Sequence, residues 1–165
     1  MSNDPDWSDL DPANWLVLVT TAEAEVAVSA GKLRKRGPFV TVVRGCRMRT
    51  EKTFHQEFAA ALQFPAYYGE NMAAFDECLC DVSWLGGGGL LIVVTGASEL
   101  LVDENANAEV VWDVLLNARE AFRHPVEAHA GRTQPEPYTL VLQDRRANLD
   151  RLVATSARLS RALGR

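Results

Sequence analysis

The sequence predicts an α/β protein built on a parallel sheet. Short β-branched apolar runs recur along it, and stretches of helical spacing separate them. One run, Leu90-Leu-Ile-Val-Val-Thr95, is apolar throughout, as a strand covered on both faces requires. Strands that alternate with helices pair in parallel through crossover connections. The length of 165 residues, with 47% hydrophobic and 24% charged, suits one domain decorated at its ends.

Each element has its own signal. Trp15-Leu-Val-Leu-Val19 reads as a strand and Ala22 to Ala30 as a weak helix. Pro38-Phe-Val-Thr-Val-Val43 is a buried strand ended by Arg44-Gly45. In Thr50 to Leu62, Phe54, Phe58, Ala61 and Leu62 recur at helical spacing; Thr53 is the expected cap and Pro65 the stop. Asn71 is placed to cap a helix over Met72 to Asp81, with Met72, Phe75 and Leu79 on the buried stripe. Gly86 to Gly89 is a flexible connector into the Leu90 strand, and Ser98 to Leu101 a short helix. Asn105 to Phe122 is a longer helix with Val111, Val114, Leu115, Ala118 and Phe122 on one face. Pro125 to Pro137 reads as a loop, and Tyr138 to Leu142 as another strand. Leu149, Leu152, Val153, Ser156, Leu159 and Leu163 form an amphipathic stripe, which either packs on the domain or makes a homo-oligomer.

The net charge of −5 conceals an uneven distribution. All seventeen Lys and Arg lie at or before Lys52, or at or after Arg119. The window between them holds ten carboxylates: Glu57, Glu70, Asp76, Glu77, Asp81, Glu99, Asp103, Glu104, Glu109 and Asp113. Such a block argues against direct nucleic-acid binding, which needs cations opposite phosphates, and favours a basic partner. The segment Lys32-Leu-Arg-Lys-Arg36 reads as an exposed turn. No run of eighteen apolar residues predicts a membrane span. The acidic start, Met-Ser-Asn-Asp-Pro-Asp, is unlike a secretory or transit signal, so a cytoplasmic protein is expected. Three cysteines, Cys46, Cys78 and Cys80, are expected to be reduced there.

Little in the sequence suggests catalysis. Gly86 to Gly89 enters a strand and no Lys follows, unlike a phosphate-binding loop. Cys78 and Cys80 lack the spacing and partners of a zinc site; a core thiol and a surface thiol explain them better. His55, His124 and His129 are scattered singly. No catalytic residue, metal or cofactor is expected, and the chain is expected not to be an enzyme. What remains is the surface from Tyr67 to Glu77. Ala73, Asp76, Glu77, Cys80 and Asp81 fall on the outward side of their helix, so it carries three carboxylates and no cation. Two tyrosines precede it, of which Tyr68 is expected to pack inward, leaving Tyr67 as an anchor for a partner.

These residues resemble the barstar family of intracellular ribonuclease inhibitors. The resemblance rests on Phe54-His-Gln-Glu-Phe58, on Phe64-Pro-Ala-Tyr-Tyr-Gly-Glu-Asn71 and on Glu77-Cys-Leu79. It is close over Thr53 to Leu79 and looser, in element order, from Phe39 to Leu142. It implies a three-stranded parallel sheet packed against about four helices, occupying 38–143, with an N-terminal extension over 1–37 and a C-terminal amphipathic helix over 144–165. It also implies that the acidic helix and the turn before it occlude a basic nuclease active site. Carried over by position, Tyr67, Gly69 and Asn71 lie in the docking turn and Glu77 takes the deepest acidic position, where the family usually has Asp. Ala73 stands where the family often has a docking Asp, and Asp76 where its type member has Trp. A further acidic contact on the next long helix falls at Asn117 or Glu120, of which Glu120 keeps the charge. The departures at 73 and 76 leave room for an alternative, a non-inhibitory interaction module on the same fold.

Overall fold

The structure is a computed structural model describing residues 14–125 and 134–164. The acidic N-terminal residues and the centre of the expected Pro125–Pro137 loop lie outside the described residues. Four strands, β1 (Leu16–Val19), β2 (Phe39–Arg44), β3 (Leu90–Thr95) and β4 (Tyr138–Gln143), form one parallel sheet in the order β1-β4-β3-β2. Among the described residues six α-helices accompany them: α1 (Glu23–Leu33), α2 (Glu51–Ala61), α3 (Met72–Asp81), α4 (Ala108–Arg123), α5 (Arg146–Thr155) and α6 (Ala157–Ala162).

The sheet has four strands where the resemblance implies three. The fourth is the N-terminal strand, which pairs Leu16 to Val19 with Leu140 to Gln143 on the outer edge of β4. Its alternation explains the position. Val17 and Val19 join one face of the sheet with Val26, Ala30 and Leu33 of α1, while Leu16 and Leu18 pack against the core on the other face. A row of valines, Val42, Val93, Val141 and Val17, crosses all four strands in register beneath α1. The opposite face carries the larger core, with Ile92, Val94, Leu140 and Leu142 beneath Phe54 and Phe58 of α2, Phe75 and Leu79 of α3, and Leu115 and Phe122 of α4. Every residue of β3 and β4 is buried, as helices on both faces dictate.

Local chemistry adjusts several expected boundaries. Thr50 caps α2, with the Thr50 and Thr53 side chains each accepting from the other's backbone N–H, so the helix starts at Glu51 rather than after Thr53. Trp112, whose side chain is fully buried, widens the apolar arc of α4 beyond the expected stripe. Within the glycine run, Gly88 and Gly89 are steric requirements. At Gly88 a Cβ would lie 2.9 Å from the Gly37 carbonyl oxygen, and at Gly89 2.5 Å from that of Pro137. The C-terminal stripe breaks at Ser156, whose hydroxyl caps α6. Leu149, Val153 and Leu159 are buried within the molecule, so this part of the stripe packs on its own domain. No helix among the described residues is long and apolar enough to cross a membrane.

Candidate docking surface

The segment from Gln63 to Asn71 turns sharply between α2 and α3. Gln63 (φ 54°) and Glu70 (φ 48°) both adopt the left-handed region, and the Tyr68 N–H closes a turn onto the Pro65 carbonyl at 2.9 Å. Asn71 then caps α3: its side-chain oxygen accepts from the Ala74 N–H at 3.0 Å, while its amide donates to the Gly69 carbonyl at 3.2 Å. A side chain at Gly69 would meet that amide at 3.0 Å, so the tight return before the helix favours glycine.

Aromatic packing holds this turn from below. Phe64 stacks edge-on against Tyr68 with centroids 4.8 Å apart and lies 6.1 Å from Trp84. The Trp84 indole N–H donates to the Leu62 carbonyl at 2.9 Å. Tyr68 is half-buried, and its hydroxyl shares a hydrogen bond with Nδ1 of His55, which is 1% exposed. Burial, with Glu70 and Cys78 nearby, pushes the Tyr68 phenol far up, so it stays protonated. Burial lowers the His55 pKa, against the opposing pull of Glu51. The other ring nitrogen, Nε2, is buried without a hydrogen bond; Glu51 Oε1, 3.7 Å away, is too distant for one. His55 is thus a neutral strut under the turn. Its role, like that of Trp84, was not legible in sequence, because neither residue is near the turn in the chain.

Above this support the outward surface is exposed. Tyr67 is 76% exposed, and Gly69, Asn71, Ala73, Asp76 and Glu77 are exposed with it; Cys80 and Asp81 are partly covered. Partial loss of water, and then the charges of Cys78, Asp81 and Glu77, raise the Tyr67 pKa. The Cys80 thiol reaches Asp76 Oδ1 at 3.7 Å, and Asp81 Oδ1 accepts from the Ser83 N–H. Cys78 is buried at the inner side of α3, where burial and the adjacent carboxylates raise its pKa and suppress thiolate chemistry. Among the described residues no group of three or more His, Cys, Asp or Glu is arranged to hold a metal.

The arginines that flank the acidic window fold back onto only part of it. Arg44 pairs with Glu57 at 2.9 Å, Arg49 with both Glu99 and Asp103, and Arg158 with Asp113 at 3.1 Å. Among the described residues Glu70, Asp76 and Glu77 have no ion pair with Lys, Arg or His. Among the described residues the intramolecular cations therefore pair with acids elsewhere and not with Glu70, Asp76 or Glu77. Glu120, exposed on α4, lies 3.3 Å from Arg123 and 3.7 Å from His124. Its charge is already balanced locally, unlike that of Glu77.

The architecture defines the class: a parallel α/β protein with its larger core on one sheet face, where α3 buries Phe75 and Leu79 and exposes Asp76 and Glu77. Residues 39–143, well over half of the chain, match the family model described as Barstar (barnase inhibitor), and the chain belongs to the barstar family. No curated protein matches it.

Proposed function

We propose that this chain is an intracellular inhibitor of a barnase-like ribonuclease, and that it acts by setting α3 and the turn before it into the nuclease active site. The observation that carries this reading is the uncompensated acid of α3. Glu77 and Asp76 are exposed and, among the described residues, pair with no internal cation, and Tyr67 in the turn before them is exposed too. A ribonuclease must hold cations where it grips the RNA backbone. Carboxylates on a rigid helix offer those cations what phosphates offer them, without a bond to cleave. Tyr67, with Gly69 and Asn71 behind it, supplies an aromatic contact at one end of the face. In this reading the chain does no chemistry itself: it excludes RNA by occupying the site.

Family membership supports the inhibitor class, since the family is described by barnase inhibition. The test is a titration of barnase activity on RNA with the purified chain. One-to-one loss of activity is expected, and Glu77→Ala should weaken binding by roughly 2–5 kcal/mol, because truncation strands the partner's buried cations. That corresponds to a loss of about 30-fold to several thousand-fold in Kd. The second reading, an interaction module with a non-nuclease partner, draws on Ala73, which places no charge at the centre of the face, and on Glu120, which is already paired. It predicts no inhibition at any concentration and a stable complex with a different protein.

A further inference from the structure

Helix α1 lies outside residues 39–143 and covers the sheet face opposite α3. Its inner stripe is Val26, Ala30 and Leu33, so Ala24, Val28 and Gly31, at i, i+4 and i+7, line its outward side with Ala27 beside them. Val28 is 60% exposed, and Ala24 and Ala27 are exposed with it. Gly31 answers no need of the molecule's own packing. It stands inside the helix, where glycine is less favourable than alanine, and a Cβ there would meet nothing within 4 Å. Charge follows a two-fold pattern along this side. At about 100° per residue, Glu25 and Lys32 fall on one flank of the outward line, and Glu23 and Arg34 on the other. Both pairs are centred between Val28 and Ser29. All four residues are exposed, and none has an ion pair among the described residues; Arg34 donates Nε–H to the Val40 carbonyl.

We infer that a second copy of this chain docks on α1, the two helices packing antiparallel about a two-fold axis that passes between Val28 and Ser29. Such an axis reverses the helix direction and keeps each flank on its own side. Glu25 then meets Lys32 of the second copy and Glu23 meets its Arg34, and each contact occurs twice. A parallel pair would set acid on acid and base on base. An anionic partner would meet Glu23 and Glu25, and a cationic one Lys32 and Arg34; the surface that complements this pattern is the same helix reversed. Between the charged flanks Val28 packs on Val28, and Gly31 lets the two backbones come close. Eleven residues make a helix only about 16 Å long. Their contact stays under the roughly 1,200 Å² of a standard interface, so the pair is weak and reversible. The larger core, with α3, lies on the other sheet face, so each copy keeps its own α3 surface open. The inference does not depend on what α3 binds.

The experiment is sedimentation velocity of the full chain from about 10 μM to 1 mM at low salt, where exposed ion pairs are least screened. A concentration-dependent monomer–dimer equilibrium is expected. Glu25→Lys and Lys32→Glu should each weaken dimerisation at least tenfold, because each sets like charges opposite one another. Mixed one to one, these two variants should form a heterodimer with close to the wild-type dissociation constant. Gly31→Gln should also weaken dimerisation at least tenfold, with a thermal midpoint no lower than that of the wild type, since its side chain enters open space in the monomer. A wild-type chain that stays monomeric throughout overturns the inference. So does a dimer that both charge variants and Gly31→Gln leave unchanged, which then uses another surface. Charge variants that fail to recover on mixing overturn the antiparallel pairing.

Discussion

Glu77, Glu120, Tyr67 and Tyr68 show how burial and pairing assign different work to residues of the same type. Glu77 and Glu120 are both exposed glutamates on helices of the same face of the sheet, but only Glu77 lacks a neighbouring cation among the described residues. Glu120→Ala is therefore expected to change the affinity for the ribonuclease far less than Glu77→Ala, measured side by side by calorimetry. Tyr67 and Tyr68 divide in the same way. Tyr67→Ala should weaken binding and leave the urea midpoint unchanged, because a largely exposed ring contributes little to the core. Tyr68→Ala should lower the urea midpoint, because it removes a half-buried ring and its bond to His55. His55 gives a pH signature. Its folded pKa lies below the ordinary 6.5 because burial opposes the charged ring. Below that value the unfolded chain binds the proton more readily, so stability falls as the pH drops from about 6.5 toward the folded pKa. Urea midpoints between pH 7 and pH 5 should decline for the wild type, and His55→Gln should remove this part of the decline.

At the scale of elements, α3 is defined by a cap, a buried stripe and an outward acid row. Asn71→Ala removes the hydrogen bond to the Ala74 N–H and is expected to cost about 0.5–2 kcal/mol of stability by denaturant titration. The same substitution loosens the turn that carries Tyr67, so affinity should fall with it. Most of this was legible in the chain. The Asn71 cap, the Phe75 and Leu79 stripe, the inward Cys78 and the inward Tyr68 follow from helical periodicity and from turn residues, which are local signals. Less legible was whatever depends on distant residues. The Thr50 cap was obscured because two threonines three apart serve each other. The reach of Arg49 to Glu99 and Asp103 spans about half a hundred residues of sequence, so an acidic block in the chain did not reveal which acids remain free. The fourth strand was visible as a strand; its place on the edge of β4 was set by pairing, which a single sequence does not encode locally.

Across the whole molecule, charge is partitioned rather than merely abundant. Arg44, Arg49 and Arg158 close onto acids at other positions, and Lys32 to Arg36 adds an exposed basic segment beside β2, where Arg34 Nε donates to the Val40 carbonyl at 3.0 Å. Surface pairs of this kind add little stability. Their consequence is to concentrate the remaining negative field on α3 and the turn before it, which steers a cationic partner to that side. The association rate with barnase should fall steeply as ionic strength rises from about 10 to 500 mM, with a smaller change in the dissociation rate. The stopped-flow slope should flatten in the Asp76→Asn, Glu77→Gln double variant. Where the partner sits is read most directly by backbone amide shifts of the labelled chain as barnase is added. The account predicts the largest changes at Tyr67, Gly69, Asn71, Asp76, Glu77, Cys80 and Asp81; changes confined to α1 and Lys32 to Arg36, with 67–81 unmoved, would contradict it.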